Sequence, residues 1–211
     1  KTIDVQREAV KEEKRQRDNQ PYARFYQYLK ENLFEEHPYT YPLIGFIEDL
    51  DNSSLEDFLS FKEKFYAPSN AVFVIAGDID IDETKKLVAE YFNEIPNKGD
   101  KPTKDYPSEE LFKEMRVKEY DPNIQIPALF YAFRTPAETD RDSSTLNYIS
   151  TYLSGGESSV LYKKLVDEKQ MALAVQTFFI EQEDYSLFAI LIIPQGETSF
   201  EDLIGEIEVE I

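Results

Sequence analysis

The sequence lacks cysteine and tryptophan and contains one histidine, His37. Without cysteine the chain forms no disulfide bond and offers no thiolate as a nucleophile or metal ligand. Zinc sites draw mainly on cysteine and histidine, and catalytic zinc sites typically use three protein ligands. One histidine and no cysteine therefore argue against a complete zinc site built from this chain alone.

Long hydrophobic runs and excess basic charge are also missing. The longest runs, AVFVIA (71–76) and LFAILII (187–193), are far shorter than the roughly 20 residues of a transmembrane helix. Because 42 acidic side chains outnumber 23 Lys and Arg, the formal charge is −19. This charge argues against nucleic acid or an anionic membrane as the main partner. The hydrophobic content of 41%, with 14% aromatic residues, predicts a buried core rather than a disordered acidic tail.

His37 stands in the sequence HPY, between a predicted helix end and a proline-rich loop. A single histidine would suffice for a Ser-His-Asp hydrolase, but only beside a nucleophile. No nucleophile motif lies near His37 in the sequence. A structural role is therefore the preferred interpretation of this residue.

The first hundred residues are predicted to be mainly helical, with one strand. Apolar residues recur at helical spacing in 2–17, 23–34, 55–66 and 82–95. Ser53 and Glu56 have the spacing of a capping box ahead of the third helix. AVFVIA is apolar on both faces, as in a strand at the middle of a covered sheet. Since unpaired buried backbone is costly, its partners must come from missing sequence, from the second segment or from another chain.

Residues 99–108 are the predicted linker, because the proline, glycine and mixed charge of Pro96–Ser108 defeat helical and strand periodicity. Strands are predicted at 112–120, 125–135, 171–182 and 185–193, and helices at 143–153, at 158–170 and from Thr198 onward. Thr198 and Glu201 have the spacing of a second capping box. The order ββααββα predicts an α+β fold, an antiparallel or mixed sheet covered by helices.

Both ends of the chain suggest an excised piece of a longer protein. Lys1 is not an initiator methionine, and no signal segment precedes the first helical pattern. At the other end, the helical pattern that begins near Thr198 continues to the last residue, Ile211. We therefore expect that the parent protein extends beyond this sequence.

Several segments together resemble the insulinase/pitrilysin-type zinc metallopeptidases, which include the mitochondrial processing peptidases. The segments are REAVKEEKRQRDNQPYARFYQYL, HPY with PLIG, FKEKFYAPSNAVFVIAGDID and YAFRTPAETDRDSSTLNYISTYLSGGESSVLYKKLVDEK. The resemblance covers nearly the whole chain and implies a processing-peptidase-like α/β sandwich. It implies that residues 1–98 are the C-terminal part of a zinc-bearing domain. Residues 109–211 would then be the N-terminal part of a second, non-catalytic domain.

The signature of that family is HxxEH, in which two histidines bind zinc and the glutamate is the general base for the bound water. The motif is absent here and is expected upstream of Lys1, so no catalytic residue is assigned within the chain. By resemblance the third zinc ligand falls on Glu13, whereas a supporting glutamate of the family falls on Gln6. We expect zinc in the parent protein and none bound to this fragment.

Two-half members of the family take an arginine and a tyrosine that contact substrate from their other half. The matching positions here are Val166 and Leu173, which cannot donate such hydrogen bonds. The resemblance therefore implies the zinc-bearing half, which needs a second peptidase half in cis or in trans. Gly155–Ser159 admits a phosphate-loop interpretation, but it lacks GxxxxGK[ST], and a helix–helix turn is preferred.

The leading hypothesis is a fragment, itself inactive, of a zinc-dependent endopeptidase that hydrolyses peptide bonds with a zinc-activated water. The expected partners are a peptide or protein substrate and the second half, with no nucleic acid and no membrane insertion. One alternative is a non-enzymatic scaffold or partner subunit of the same family. Another is a binding domain that uses the open edge of an incomplete sheet. The compartment and the substrate preference do not follow from the sequence.

Overall fold

Helix α1 (Thr2–Asp18) begins the chain, as its charged helical pattern predicts. The computed structural model describes residues 2–98, 103, 106, 109 and 114–211. Contacts group the chain into two units: Lys1–Gln16 with Pro42–Ser108, and Arg17–Tyr41 with Glu109–Ile211. Residues 17–41 thus group with the second unit, although the sequence places them before the predicted linker. The predicted domain division itself stays a prediction.

The first unit is built from helices. The N-terminal part of α1 is joined by α3 (Ile47–Asn52), α4 (Leu55–Phe65), a 3-10 turn (Pro68–Asn70) and α5 (Ile81–Phe92). The Lys11 ammonium donates to the Asp51 carboxylate at 2.7 Å, and the Arg7 guanidinium donates to the carbonyl oxygen of Ser53 at 2.6 Å. These polar contacts hold α1 against the end of α3.

The segment AVFVIA is exposed rather than covered. Residues 71–76 form no strand and pair with no strand in the part of the chain that the structure describes. Val72 is 91% exposed and Val74 77%, while the Phe73 ring contacts the Phe92 ring at a centroid distance of 5.0 Å. The described residues therefore supply no partner strand for this segment. Partners from missing sequence or from another chain stay a prediction.

The second unit contains an antiparallel sheet of three described strands. They are β1 (Leu129–Thr135), β2 (Ala172–Ile180) and β3 (Ser186–Pro194), in the order β1-β3-β2. The three strands confirm the predictions for 125–135, 171–182 and 185–193. The predicted strand at 112–120 is wrong over residues 114–120, which form no strand, while 112–113 lie outside the described residues.

One face of the sheet packs against the C-terminal helices. These are α6 (Arg141–Ser154), α7 (Val160–Tyr162), a π-helix (Lys163–Glu168) and α8 (Phe200–Glu208). The buried residues of this layer are Leu153, Leu161, Leu165, Ala172, Val175, Phe188, Ile190, Ile192, Leu203 and Ile207. Each large apolar side chain buried here stabilises the fold by about 1.5–3 kcal/mol. The central strand β3 contributes Phe188, Ile190 and Ile192 to this core.

Helix α2 (Phe25–Leu33) and a 3-10 turn (Pro38–Thr40) cover the other face of the sheet. The Phe25 ring stacks on the Phe130 ring of β1 with centroids 4.8 Å apart. Phe34 and Leu187 are buried in a second apolar cluster on this side. The sheet therefore lies between two helical layers, and the predicted α+β class is confirmed.

The N-caps of α4 and α8 each lie one residue after the predicted position, and of the two only α4 has the reciprocal bonds of a capping box. Helix α4 is capped by Ser54, whose side chain accepts from the N–H of Asp57, and the Asp57 carboxylate accepts from the Ser54 N–H in return. Helix α8 is capped by Ser199, which accepts from the N–H of Asp202. Neither Ser53 nor Thr198 is the cap. Among the described helices, none combines the length and apolar character that crossing a membrane requires.

Candidate functional site

Glu13, the predicted metal ligand, lies on an exposed face of α1. The neighbouring Glu12 accepts hydrogen bonds from Arg15 and Gln16 at 3.4 Å, along the same helix. Gln6 lines a cavity of about 200 Å³ between α1 and the α3–α4 region, with mostly apolar neighbours. Gln6 and Glu13, the two positions matched to the family, are therefore seven residues apart on α1. Glu13 is exposed, whereas Gln6 lines the cavity.

The donors needed for a zinc site do not come together among the described residues. No three His, Asp or Glu side chains of the described residues are close enough to hold a metal ion. The described residues thus offer Glu13 as one possible ligand, and two or more further ligands would have to come from elsewhere. The zinc ligand role of Glu13 stays a prediction.

The positions that match the family's substrate-binding arginine and tyrosine are Val166 and Leu173, which lie on two different elements. Val166 is part of the π-helix and packs against the buried core. Leu173 lies on β2 with 53% of its surface exposed. Neither side chain carries a hydrogen-bond donor. These positions offer apolar surface and no charge to a peptide.

Gly155 and Gly156 form a helix–helix turn. The N–H of Gly155 closes α6 by donating to the carbonyl oxygen of Thr151 at 2.7 Å. A Cβ at Gly155 would lie 2.4 Å from that oxygen, and Gly156 has a φ of +146°, which side chains rarely adopt. Ser159 donates to the carbonyl oxygen of Gly156. The local geometry is that of a tight connector rather than a phosphate loop.

His37 lies buried among aromatic rings, with 1% of its surface exposed. Its Nδ1 accepts from the N–H of Tyr39 at 3.2 Å, and its Nε2 lies 3.6 Å from the Asp184 carboxylate. The rings of Phe34, Tyr39 and Tyr185 surround the imidazole at centroid distances of 5.5, 4.3 and 5.4 Å. These contacts match a packing role, and none of them joins His37 to a hydroxyl placed as a nucleophile.

Lys30, on α2, is buried, with 7% of its surface exposed. Its ammonium lies over the rings of Tyr26 and Tyr39, at 5.3 and 5.5 Å from their centroids. Its polar contact is the carbonyl oxygen of Tyr41 at 3.4 Å. Burial lowers the pKa of Lys30 because the charged form is poorly solvated there. The two ring faces partly compensate for the lost water.

Glu109 is a charged residue beside His37 that the sequence patterns did not identify. The Glu109 carboxylate accepts from the backbone N–H groups of Glu35, Glu36 and His37 and pairs with Arg134. Glu109 is one of several acids near the predicted linker, and no local motif distinguishes it. The tertiary contacts alone single it out.

This chain is similar in sequence to a protein family and to several known proteins. A family profile described as "Peptidase M16 inactive domain" matches residues 52–211. The zinc protease PqqE of Helicobacter pylori is 29% identical over 191 residues, which are 88% of this chain and 43% of that protein. The chain spans less than half the length of the curated relatives that it matches most strongly.

Solved structures agree with the fold. A protease from Helicobacter pylori superposes with a TM-score of 0.75 at 25% identity, over 98% of this chain and 51% of that one. The peptidase M16 inactive domain from Pseudomonas fluorescens gives a TM-score of 0.73 at 15% identity, over 99% of this chain and 51% of that one. At that lower identity, the likeness supports the fold alone.

Proposed function

The chain belongs to the peptidase M16 family, and we propose that it is part of a zinc-dependent endopeptidase that hydrolyses peptide bonds. Its similarity to proteins named zinc proteases supports this proposal. In it, α1 supplies one metal ligand within residues 1–98, and residues 109–211 belong to a non-catalytic domain. The profile match to an inactive domain supports the second part, although it covers residues 52–211 and so includes residues 52–98 as well.

The proposed contribution to the metal site is the Glu13 carboxylate. Its side chain lies on an exposed face of α1. The histidine ligands and the general base would come from a segment beyond this sequence. Zinc supplies a polarised, deprotonated water when bound in such sites. The described residues do not by themselves fit a zinc ion, and the fragment alone is proposed to be inactive.

The proposed partners are a peptide or protein substrate and a second peptidase half. The apolar side chains at Val166 and Leu173 support the assignment of substrate contacts to another half, because a peptide carbonyl or carboxylate requires a hydrogen-bond donor. That half would be present in cis or in trans. A substrate strand could add to the edge of a sheet, a common mode of peptide binding.

The test compares Glu13→Gln with Glu12→Gln in the longer protein. Both variants remove one carboxylate from the exposed side of α1, and Glu12 accepts hydrogen bonds from Arg15 and Gln16 of the same helix. We expect Glu13→Gln to lose bound zinc and at least about 100-fold of peptide cleavage, since even outer-shell partners cost roughly 10–100-fold. Metal analysis and cleavage of an unstructured fluorogenic peptide measure both. If the two variants bind equal amounts of zinc and cleave the peptide at equal rates, Glu13 is not a zinc ligand.

A non-enzymatic scaffold is the second candidate, favoured by the inactive-domain match. The same measurements distinguish it. A longer protein that binds no zinc and cleaves no peptide, alone or with its partner half, supports the scaffold. Zinc-dependent cleavage that a chelator abolishes, and that added zinc restores, supports the peptidase.

A further inference from the structure

Three successive backbone N–H groups point at one carboxylate in the second unit. The N–H of Glu35 lies 3.1 Å from one oxygen of Glu109, and the N–H of Glu36 lies 2.6 Å from the other. The N–H of His37 donates to that second oxygen as well. Successive N–H groups that converge in this way form a nest, a recurrent anion-binding arrangement.

The end of α2 explains why these donors are available. The helix ends at Leu33, and Phe34 turns into an extended conformation while its N–H still bonds to the carbonyl oxygen of Lys30. The next three N–H groups have left the helical ladder. His37 is extended and precedes the short 3-10 turn, so its N–H has no helical acceptor either. Donors in such a segment need another acceptor.

Arg134 completes the site from strand β1. Its side chain is only 7% exposed, and one terminal nitrogen lies 3.4 Å from the Glu109 carboxylate. The other donates to the backbone carbonyl oxygen of Glu109. The guanidinium also lies over the rings of Phe34 and Tyr185, at 5.4 and 4.7 Å. A buried cation held in this way requires an anionic partner.

The charge state of Glu109 agrees with this geometry. Burial of the carboxyl opposes its ionisation, but the backbone donors of Glu35, Glu36 and His37 and the charge of Arg134 outweigh that effect. Together they hold the pKa of Glu109 below its usual value. The side chain is 13% exposed, so the carboxylate is nearly enclosed.

We propose that the N–H groups of Glu35–His37 and the Arg134 guanidinium form a carboxylate-binding site, with the Glu109 side chain as its built-in ligand. The site fastens the chain at Glu109, just beyond the predicted linker, to the loop that follows α2. When the Glu109 carboxylate is removed, the same donors bind a free small carboxylate. This inference is independent of any peptidase activity.

The experiment is chemical rescue of Glu109→Ala by acetate or formate. Deletion of the side chain leaves room for the small anion. In chloride we expect a lower Tm and roughly tenfold faster amide exchange at residues 35–37, because charged hydrogen bonds are lost. Acetate should reverse both changes saturably. Sodium chloride at equal ionic strength serves as the salt control, and the wild type should show no saturable response.

Glu114→Ala is the matched control, since Glu114 is 67% exposed and pairs with the exposed Arg116. It should neither lower the Tm nor respond to acetate. If Glu109→Ala is unfolded in chloride, recovery of the far-ultraviolet circular dichroism in acetate supports the site. Glu109→Gln, which keeps the shape without the charge, should lie between the wild type and Glu109→Ala. Absence of a saturable acetate effect on both Tm and exchange overturns the proposal.

Discussion

The Asp184 carboxylate lies 3.6 Å from Nε2 of His37, the one histidine of the sequence. Asp184 belongs to the turn between β2 and β3, and its backbone N–H donates to the hydroxyl of Tyr39 at 3.1 Å. The pair therefore joins the loop after α2 to the end of the sheet. Because Nδ1 of His37 accepts from a backbone N–H, Nε2 is the nitrogen that carries a proton towards Asp184.

Replacement of His37 should destabilise the second unit. We expect His37→Ala to lower the free energy of unfolding by about 3 kcal/mol, as loss of a buried ring does elsewhere. Asp184→Asn, which keeps the shape and removes the charge, should cost about 1 kcal/mol. Urea denaturation measures both. The exposed Glu157→Gln is the control and should stay within about 0.5 kcal/mol of the wild type; a His37→Ala value in that range would contradict the packing role.

Stability should depend on pH through Glu109. Its pKa in the folded state lies below the ordinary value of 4.5, so its contribution is fully present above that value. It is lost as the pH falls through the folded pKa. In urea unfolding from pH 7 down to pH 3, we expect the stability gap between the wild type and Glu109→Gln to shrink below pH 4.5; a constant gap would refute this.

The position of the α8 cap can be tested with two neighbouring hydroxyls. Ser199→Ala removes the acceptor for the N–H of Asp202 and should cost about 1 kcal/mol, as for other caps. Thr198→Ala removes only a hydrogen bond to the carbonyl oxygen of Gln195 in the preceding turn and should cost less. Thermal unfolding of the two variants gives the comparison. A larger loss of stability for Thr198→Ala than for Ser199→Ala would show that Thr198 is the N-cap, as the sequence predicts.

The exposed AVFVIA segment should show its lack of ladder partners in hydrogen exchange. We expect the amides of residues 72–76 in this chain to exchange at nearly the unprotected rate, since the described strands do not pair with them. If the segment is a central strand of a larger sheet, the longer protein should protect these amides at least about 100-fold. Slow exchange in the isolated chain at low concentration would contradict this prediction.

Local patterns located most elements, but they misjudged the exact start of two helices. In each case two hydroxyl residues stand side by side, and the sequence does not say which one caps. Ser53 donates to the carbonyl oxygen of Leu50 at the end of α3, and Thr198 donates to Gln195 in a turn. Because the first hydroxyl of each pair closes the preceding turn, the second is left to cap the helix.

The charged groups around the loop after α2 were beyond local reasoning for a different reason. Glu109, Arg134 and Asp184 come from three distant parts of the chain and carry no shared spacing. His37 was expected to be structural because no nucleophile stood near it. The sequence held no sign of the carboxylate that its backbone N–H binds.

The sequence by itself determined most helices, the three described strands and the α+β class, because helical and strand periodicities are local properties of neighbouring residues. It did not predict α3 (Ile47–Asn52), nor that Lys163–Glu168, within the helix predicted at 158–170, form a π-helix. Its family resemblance also led to the peptidase M16 family before any contact was known. Tertiary structure alone decided that residues 17–41 group with the second unit and that Glu109 fills a nest beside Arg134. Those two outcomes depend on residues that are far apart in the chain. Burial of the sheet's two faces brings these residues together, and their spacing in the sequence does not reveal it.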